Sequence, residues 1–319
     1  MKDFKILPKL RKGRILTPAH FGCLDGIPTL NITNGCLFKC TYCYARGYSQ
    51  APQREEVHLY FNLPNLLRDE LSRRKAIPPW LILNTSSDCF QSHPDILHIT
   101  YEVIRALLDH QIGISFLTKG VIPQKCIDLF VRSPDKVLAQ IGVVSLSNRY
   151  WKEYEPNTPS PEKRLENIQR LQEIGITPEV RIDPIIPFVT DIEAEIEFLF
   201  ERLRRLGVKK VTLSYLHLRP AIQEQLMREL SPLHRRVIES CFKTQGWRTV
   251  GSSTKTKLLP NRIRERGYER IRKISEKMGI TASICQCKNP DLKGDLCSSG
   301  RARAALNKQD PLQLPLFRC

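Results

Sequence analysis

The chain has 319 residues, with 50 Lys and Arg against 33 Asp and Glu, so its formal net charge is +17. At 41% hydrophobic and 26% charged it is neither disordered nor fibrous. No apolar run approaches the roughly 18 to 20 residues that span a bilayer, and the basic start MKDFKILPKLRKGR has no apolar stretch behind it. A cytoplasmic protein without a membrane partner is the expectation. Eleven cysteines in such a chain point to thiol or metal chemistry, since the reducing cytosol disfavours disulfide staples.

Six apolar runs read as buried strands, at 28–33, 80–84, 113–118, 137–147, 177–186 and 209–215. Between them the spacing becomes helical. Residues 64–75 carry Leu66, Leu67 and Leu71 on one face, and 95–110 carry Ile96, Ile99, Val103, Ile104 and Leu107. A further helix starts at Pro161, with Ser160 as N-cap and Glu162 in its first turn. Six strand–helix repeats predict an α/β fold whose parallel sheet forms a whole or partial barrel. Periodicity alone leaves an open doubly wound sheet as the alternative.

After Tyr215 the alternation stops. Residues 222–245 read as helix, 246–253 as loop or short strand, and 255–277 as a heavily basic stretch. The resulting division is an N-terminal extension over 1–27, a barrel portion over 28–220, a helical basic extension over 221–283 and a Cys-rich tail over 284–319.

Directly after the first strand, NITNGCLFKCTYCYARG places Cys36, Cys40 and Cys43 at C-x3-C-x2-C. Three thiolates within eight residues can converge on a soft-metal centre. Structural zinc wants a closed set of four ligands, commonly two C-x2-C pairs, and no second pair stands at that spacing. A cubane iron–sulfur cluster with three cysteine ligands instead keeps one iron open.

This motif, with Tyr42 before its last cysteine, resembles the signature of radical S-adenosylmethionine (SAM) enzymes. Within that superfamily the chain is similar to the spore photoproduct lyase-like branch over about residues 28–190. The resemblance rests on CTYCY at 40–44, TSSD at 85–88, FLTKG at 116–120, SLSNRY at 145–150, EPNTPSPEKRL at 155–165 and RIDPIIP at 181–187. It implies a partial (β/α)6 TIM-type barrel and a [4Fe-4S] cluster on Cys36, Cys40 and Cys43. It also implies SAM on the open iron, reductive cleavage to a 5′-deoxyadenosyl radical, and an electron donor such as flavodoxin or ferredoxin.

Barrel sites lie at the C-terminal strand ends, and the resemblance assigns roles there. Thr85, Ser86, Ser87 and Asp88 would hydrogen-bond the methionyl part of SAM, or else cap the following helix. Lys119 would pair with the SAM carboxylate. Ser145, on the fourth strand, would touch the ribose or methionine moiety, or else bond to neighbouring backbone, and Tyr42 would flank the adenine. Arg181 and Asp183 would either reach the same cavity or form an internal ion pair. Tyr44 stands where the lyase has a tyrosine implicated in radical relay, with simple packing as the alternative. Thr85 stands where the lyase has its hydrogen-donating cysteine, and an alcohol O–H is too strong a bond for that task. Cys89, four residues on, is the nearest thiol that could stand in for it.

The tail holds Cys285, Cys287 and Cys297 at C-x-C-x9-C, with Cys319 as the last residue. These four suit an auxiliary iron–sulfur cluster or a zinc site, surface thiols, or hydrogen donors replacing the missing one. Cys23, Cys126 and Cys241 are isolated and read as small buried side chains. The density of Arg262, Arg264, Arg266, Arg270, Arg272 and Lys273 beside Tyr268 and Trp247 suits a phosphate backbone, with a solvated basic helix as the alternative. Nucleic acid, DNA by resemblance, is the expected substrate. A protein, peptide or small molecule is the alternative within the same chemistry, and a non-catalytic metal-containing nucleic-acid-binding protein the alternative outside it.

Overall fold

The apolar runs lie side by side in one sheet of eight strands. The computed structural model describes residues 4–19, 24–53, 55–250 and 254–294. Its first elements are β1 (Lys5–Lys9), β2 (Thr17–Pro18), β3 (Pro28–Leu30), β4 (Thr33–Asn34), β5 (Glu56–Tyr60) and α1 (Leu63–Arg73). There follow β6 (Trp80–Leu83), α2 (Pro94–Asp109), β7 (Gly113–Thr118), α3 (Gln124–Val131), β8 (Val137–Gly142), α4 (Asn148–Tyr154) and α5 (Pro161–Glu173). Next come β9 (Glu179–Ile185), α6 (Glu193–Arg205), β10 (Lys210–Tyr215), α7 (Pro220–Glu229) and α8 (Pro232–Phe242). The described chain closes with β11 (Arg248–Val250), β12 (Thr254–Thr256), α9 (Asn261–Lys277) and β13 (Thr281–Ile284).

The main sheet runs β13-β10-β9-β8-β7-β6-β3-β2. All pairings from β3 to β13 are parallel, and β2 adds an antiparallel edge. A doubly wound sheet reverses its strand order at a switch point. Here spatial order follows chain order throughout, so every crossover winds the same way and the architecture is an open, barrel-type α/β sheet. Parallel strands are covered on both faces, which is why β7 (GISFLT) is almost wholly buried. α2 packs Ile96, Ile99, Val103, Ile104 and Leu107 inward, the face its spacing predicts. Ser160 caps α5 as expected, its side chain accepting from the Lys163 amide.

Three stretches depart from expectation. The run 28–33 splits into β3 and β4, and β4 leaves the main sheet to pair with β5 in a small sheet ordered β1-β5-β4. The run 137–147 stops at Gly142, so Ser145 lies beyond its strand, not on it. The alternation also resumes after Tyr215, because the basic segment forms α9 and leads into β13, which pairs with β10 from Lys210↔Thr281 to Leu213↔Ile284. α9 therefore covers the sheet.

Its basic residues are accordingly divided. Arg264 is buried, donating to the Leu259 carbonyl, to Asn289 and bidentately to Asp291. Arg270 donates to the Asp191 carbonyl, and Lys273 pairs with Glu269. Tyr268 is buried, its hydroxyl donating to Asn289 and accepting the Tyr215 amide, so it presents no ring to a nucleic acid. Arg262 and Arg266 stay exposed. Among the described residues no helix is long and apolar enough to cross a membrane.

Gly267 lies where α9 crosses β10, and a Cβ there would overlap the Tyr215 hydroxyl. Gly267→Ala should cost about 1–3 kcal/mol by overpacking. Tyr215→Phe in the same chain should return part of that loss in urea unfolding, and a neutral Gly267→Ala would contradict the close approach.

Candidate active site

The parallel register brings the C-terminal ends of β6, β7, β8, β9, β10 and β13 to one edge, and the cysteine loop lies there between β4 and a 3-10 turn over Tyr44–Gly47. A polar frame fixes this loop. Buried Gln91 accepts the Leu37 amide at 2.7 Å and donates to Thr33 Oγ1 at 2.9 Å. Asn84 accepts the Ile32 amide at 3.2 Å and donates to Ser87 Oγ at 2.7 Å. Arg46 donates to the Lys39 and Cys40 carbonyls and makes a bidentate pair with Glu229 of α7. Gly35, at φ +87°, turns the chain just before Cys36, where a Cβ would press on Pro52.

Cys36, Cys40 and Cys43 are partly accessible thiols outside any disulfide. Burial, the Asp88 charge and the two neighbouring thiols push Cys36 well above its ordinary pKa, and burial and Glu155 push Cys40 up to about 12. Both are protonated thiols at neutral pH, so a bound cation would release their protons. Cys36 and Cys43 line a cavity of about 360 Å3 with Ser86, Gln225, Lys39, Arg46 and Arg228. Among the described residues no three His, Cys, Asp or Glu side chains stand at single-ion spacing. A four-iron cluster requires no such convergence, because each thiolate takes a different iron. The donor set, three soft thiols on one loop beside a ligand-sized cavity, fits that cluster.

The expected SAM contacts divide into committed and available groups. Ser86 lines the cavity, its amide and hydroxyl donating to Asn31 Oδ1, each at 3.1 Å. Ser87 is held between Thr33 and Asn84. Asp88 is structural: Oδ1 accepts from Phe90 N and Thr118 Oγ1, and Oδ2 from the Lys119 amide at 2.7 Å. Burial raises its pKa against those bonds. Ser145 donates to Glu195 and accepts the Ser147 amide. Cys89 is 0% exposed, in the packed core and not on the cavity wall, and burial lifts its thiol pKa well up. The substitute for the missing cysteine at position 85 is therefore not there.

Glu155 organises the next group. It is 1% exposed, accepts from the Tyr42 hydroxyl and from Tyr150 at 3.3 Å, and pairs with Arg164 at 2.5 Å. Lys119 stands 4.0 Å from it and 5.7 Å from the centre of the Tyr42 ring. Burial acts to raise the Glu155 pKa, but Arg164 and Lys119 outweigh it and hold the carboxyl below its usual range. Arg164 also donates to the Gly142 carbonyl and to Thr158, tying β8 to the 155–165 segment. Neither Glu155 nor Arg164 drew a role from the sequence, yet Arg164 falls at the buried spacing Pro161, Arg164, Ile168, Leu171 of α5.

Toward β9 and β13 a second polar group gathers. Arg181 and Asp183 form the internal ion pair at 3.0 Å, and Lys288 joins Asp183 at 2.6 Å. Asp183 is held far below the usual carboxylate range by these two cations against its burial. Arg181 also reaches Cys285 Sγ at 3.7 Å, and Cys285 meets Cys287 at 3.0 Å. Burial first, then Lys288, lowers the His217 pKa to about 3. Cys23, Cys297 and Cys319 lie outside the described residues. Tyr44 is exposed at the rim, its hydroxyl donating to the Thr85 carbonyl at 2.8 Å, its ring 5.1 Å from the Arg219 guanidinium and 5.8 Å from Tyr48.

The family model described as the radical SAM superfamily matches residues 30–203. An uncharacterized protein of Acidianus two-tailed virus is 27% identical over 238 residues, 67% of this chain and 77% of the viral one. An uncharacterized protein of Mycobacterium tuberculosis is 27% identical over 220 residues, 66% of this chain and 64% of the other. The radical SAM Nalpha-GlyT isomerase of Pseudomonas phage M6 is 23% identical over 258 residues, and the match takes in only 51% of that protein. Spore photoproduct lyase with a dinucleoside spore photoproduct shares the fold, with a TM-score of 0.66 and 16% identity over 88% of this chain and 81% of that one.

Because the folded pKa of Glu155 is depressed, its stabilisation is complete above the ordinary carboxylate value of about 4.3 and is lost as pH falls through the lower folded value. Glu155→Gln should destabilise by about 3–5 kcal/mol at pH 7, since Arg164 is left buried without its counter-charge. The loss should shrink as pH falls below about 4. Urea unfolding at both pH values measures this, and a pH-independent loss would contradict the ionised assignment.

Proposed function

This chain belongs to the radical SAM superfamily, and from that premise we propose that it is an enzyme that reductively cleaves SAM to act on nucleic acid, with DNA favoured. The observation that carries the radical part is the loop itself: Cys36 and Cys43 facing one cavity with Ser86, and Cys40 locked beside them by Arg46. When bound, the cluster and SAM supply a 5′-deoxyadenosyl radical that takes a hydrogen atom from the substrate.

The chain's own groups bind and orient. Cys36, Cys40 and Cys43 ligate the cluster. Ser86 offers a hydroxyl to the methionyl amine. Lys119 is only loosely paired, at 4.0 Å, and can turn its ammonium to the carboxylate. Glu155 and Arg164 keep Tyr42 and Lys119 in place. The buried strand ends keep water from the reacting carbon. A flavodoxin- or ferredoxin-type protein delivers the electron.

The substrate reading rests on the rim. Exposed Tyr44 and Tyr48, with Arg219 over Tyr44, form an aromatic and cationic platform of the kind that stacks unpaired bases and holds phosphate. The structural neighbour binds a dinucleoside photoproduct. The net charge of +17 adds affinity for a polyanion, although α9 contributes less to it than its composition implies, because Arg264 is buried. With Thr85 in place of a thiol and Cys89 in the core, the outcome differs from photoproduct lyase chemistry, and the phage relative's name, an isomerase, points toward a rearrangement.

Two measurements test this. Reduced, anaerobically reconstituted protein should convert SAM to 5′-deoxyadenosine, and Cys40→Ala should lower the rate at least ~100-fold by removing a cluster ligand. Absence of 5′-deoxyadenosine from the wild type would refute the radical reading. Binding of single-stranded DNA should weaken about 10-fold or more in Tyr44→Ala with Arg219→Ala, given ~1–3 kcal/mol per stacked base. Undetectable affinity at low salt would move the substrate to a peptide or small molecule.

A further inference from the structure

The group at the ends of β9, β10 and β13 is not used by the proposed chemistry, and it is built rather than loose. Cys285 ends β13 and is 1% exposed, while Cys287 follows on a 3-10 turn over Gln286–Lys288. Buried Asn289 clamps that turn, donating to the Cys285 carbonyl at 2.9 Å and accepting from Arg264 at 3.0 Å and Tyr268 at 3.1 Å. Arg264 then holds Asp291 bidentately, so α9 fixes both ends of the dithiol segment.

The clamp sets Cys285 Sγ and Cys287 Sγ 3.0 Å apart. That is longer than a disulfide bond of about 2.05 Å. It is shorter than the spacing of two thiolates on one tetrahedral ion, about 3.8 Å for metal–sulfur bonds near 2.3 Å, and a small rotation of either side chain reaches that spacing. Thiolates of a cubane cluster sit on separate irons, farther apart than this. His217 stands in electrostatic range of Cys287, two residues beyond the end of β10 and alongside the turn that follows β13. Its Nε2 is buried and without a hydrogen-bond partner. A buried, unpartnered imidazole nitrogen within electrostatic range of one of two touching thiols supplies the donor types of a soft-metal site.

We infer that Cys285 and Cys287 chelate one thiophilic ion, zinc(II), with His217 as third donor. Binding exchanges two thiol protons for two zinc–sulfur bonds and leaves the metal's charge largely offset. Among the described residues no three donors stand at single-ion spacing, so zinc binding by all three requires His217 to close on the pair when the ion enters. The ligands are separate from the Cys36–Cys43 loop, and the site stands whether or not that loop carries a cluster.

Metal and sulfide analysis of the full chain, reconstituted anaerobically and freed of loosely bound ions, tests this. Wild type should hold about four irons and about one zinc. Cys285→Ser with Cys287→Ser should lose the zinc, keep the irons and retain its circular dichroism. His217→Ala should yield its zinc to a chelator at least ~10-fold more readily. Cobalt in place of zinc should show thiolate charge-transfer absorption that halves in Cys287→Ser. About eight irons in the wild type would overturn the inference in favour of a second cubane, as would zinc absent from the wild type or retained by the double variant. Loss of iron alone, with zinc intact, would overturn the cluster reading and leave this site standing.

Discussion

The ion pair between Glu155 and Arg164 is the constraint on which the site's geometry depends. Both side chains are essentially inaccessible, and a lone buried charge of either sign would cost several kcal/mol. Each therefore compels the other. Arg164 needs the Gly142 carbonyl and Thr158 as well, which fixes where β8 ends and how the 155–165 segment returns. Glu155 needs the Tyr42 hydroxyl, which fixes the ring between Cys40 and Cys43, and it leaves enough field over to hold Lys119 nearby. One buried carboxylate thus connects the cysteine loop to two strand ends.

A second polar post stands across the sheet edge. Asp88 takes one donor from Phe90 in the loop after β6 and two from Thr118 and Lys119 at the end of β7, and Gln91 passes the constraint on to the start of the cysteine loop. The serines and the aspartate after β6 are therefore unequal: Ser86 faces the cavity while Ser87 and Asp88 hold the wall. The loop that must receive a cofactor is braced from both sides before anything binds, and the Cys36 and Cys40 thiols remain protonated until a cation displaces their protons.

Much of this was legible in the sequence, and the failures have separate physical causes. Apolar runs located the strands, and C-x3-C-x2-C after the first of them located the loop, because both signals are local. Strand ends were misjudged where apolar residues continue past the last hydrogen bond, as in the extended stretch that carries Ser145. Arg164 and Arg264 were harder: a basic residue reads as surface unless its spacing is checked against the buried face. Both fall on it, Arg264 at the spacing Arg264, Tyr268, Ile271, Ser275 of α9. Counting charges made α9 a nucleic-acid face, whereas its period of 3.6 makes it a covering helix that leads to another strand. The partners of Asp88 and Glu155 lie in separate strands and loops, and pairings across such distances leave no periodic trace.

The central claim is that Cys36, Cys40 and Cys43 bind a cluster with one iron left open to SAM. Electron paramagnetic resonance of the reduced, reconstituted protein tests it most directly. The account predicts a [4Fe-4S] signal that changes shape when SAM is added and is absent from the Cys36→Ala, Cys40→Ala and Cys43→Ala variants. A signal indifferent to SAM, or one that survives loss of any of the three cysteines, would contradict it.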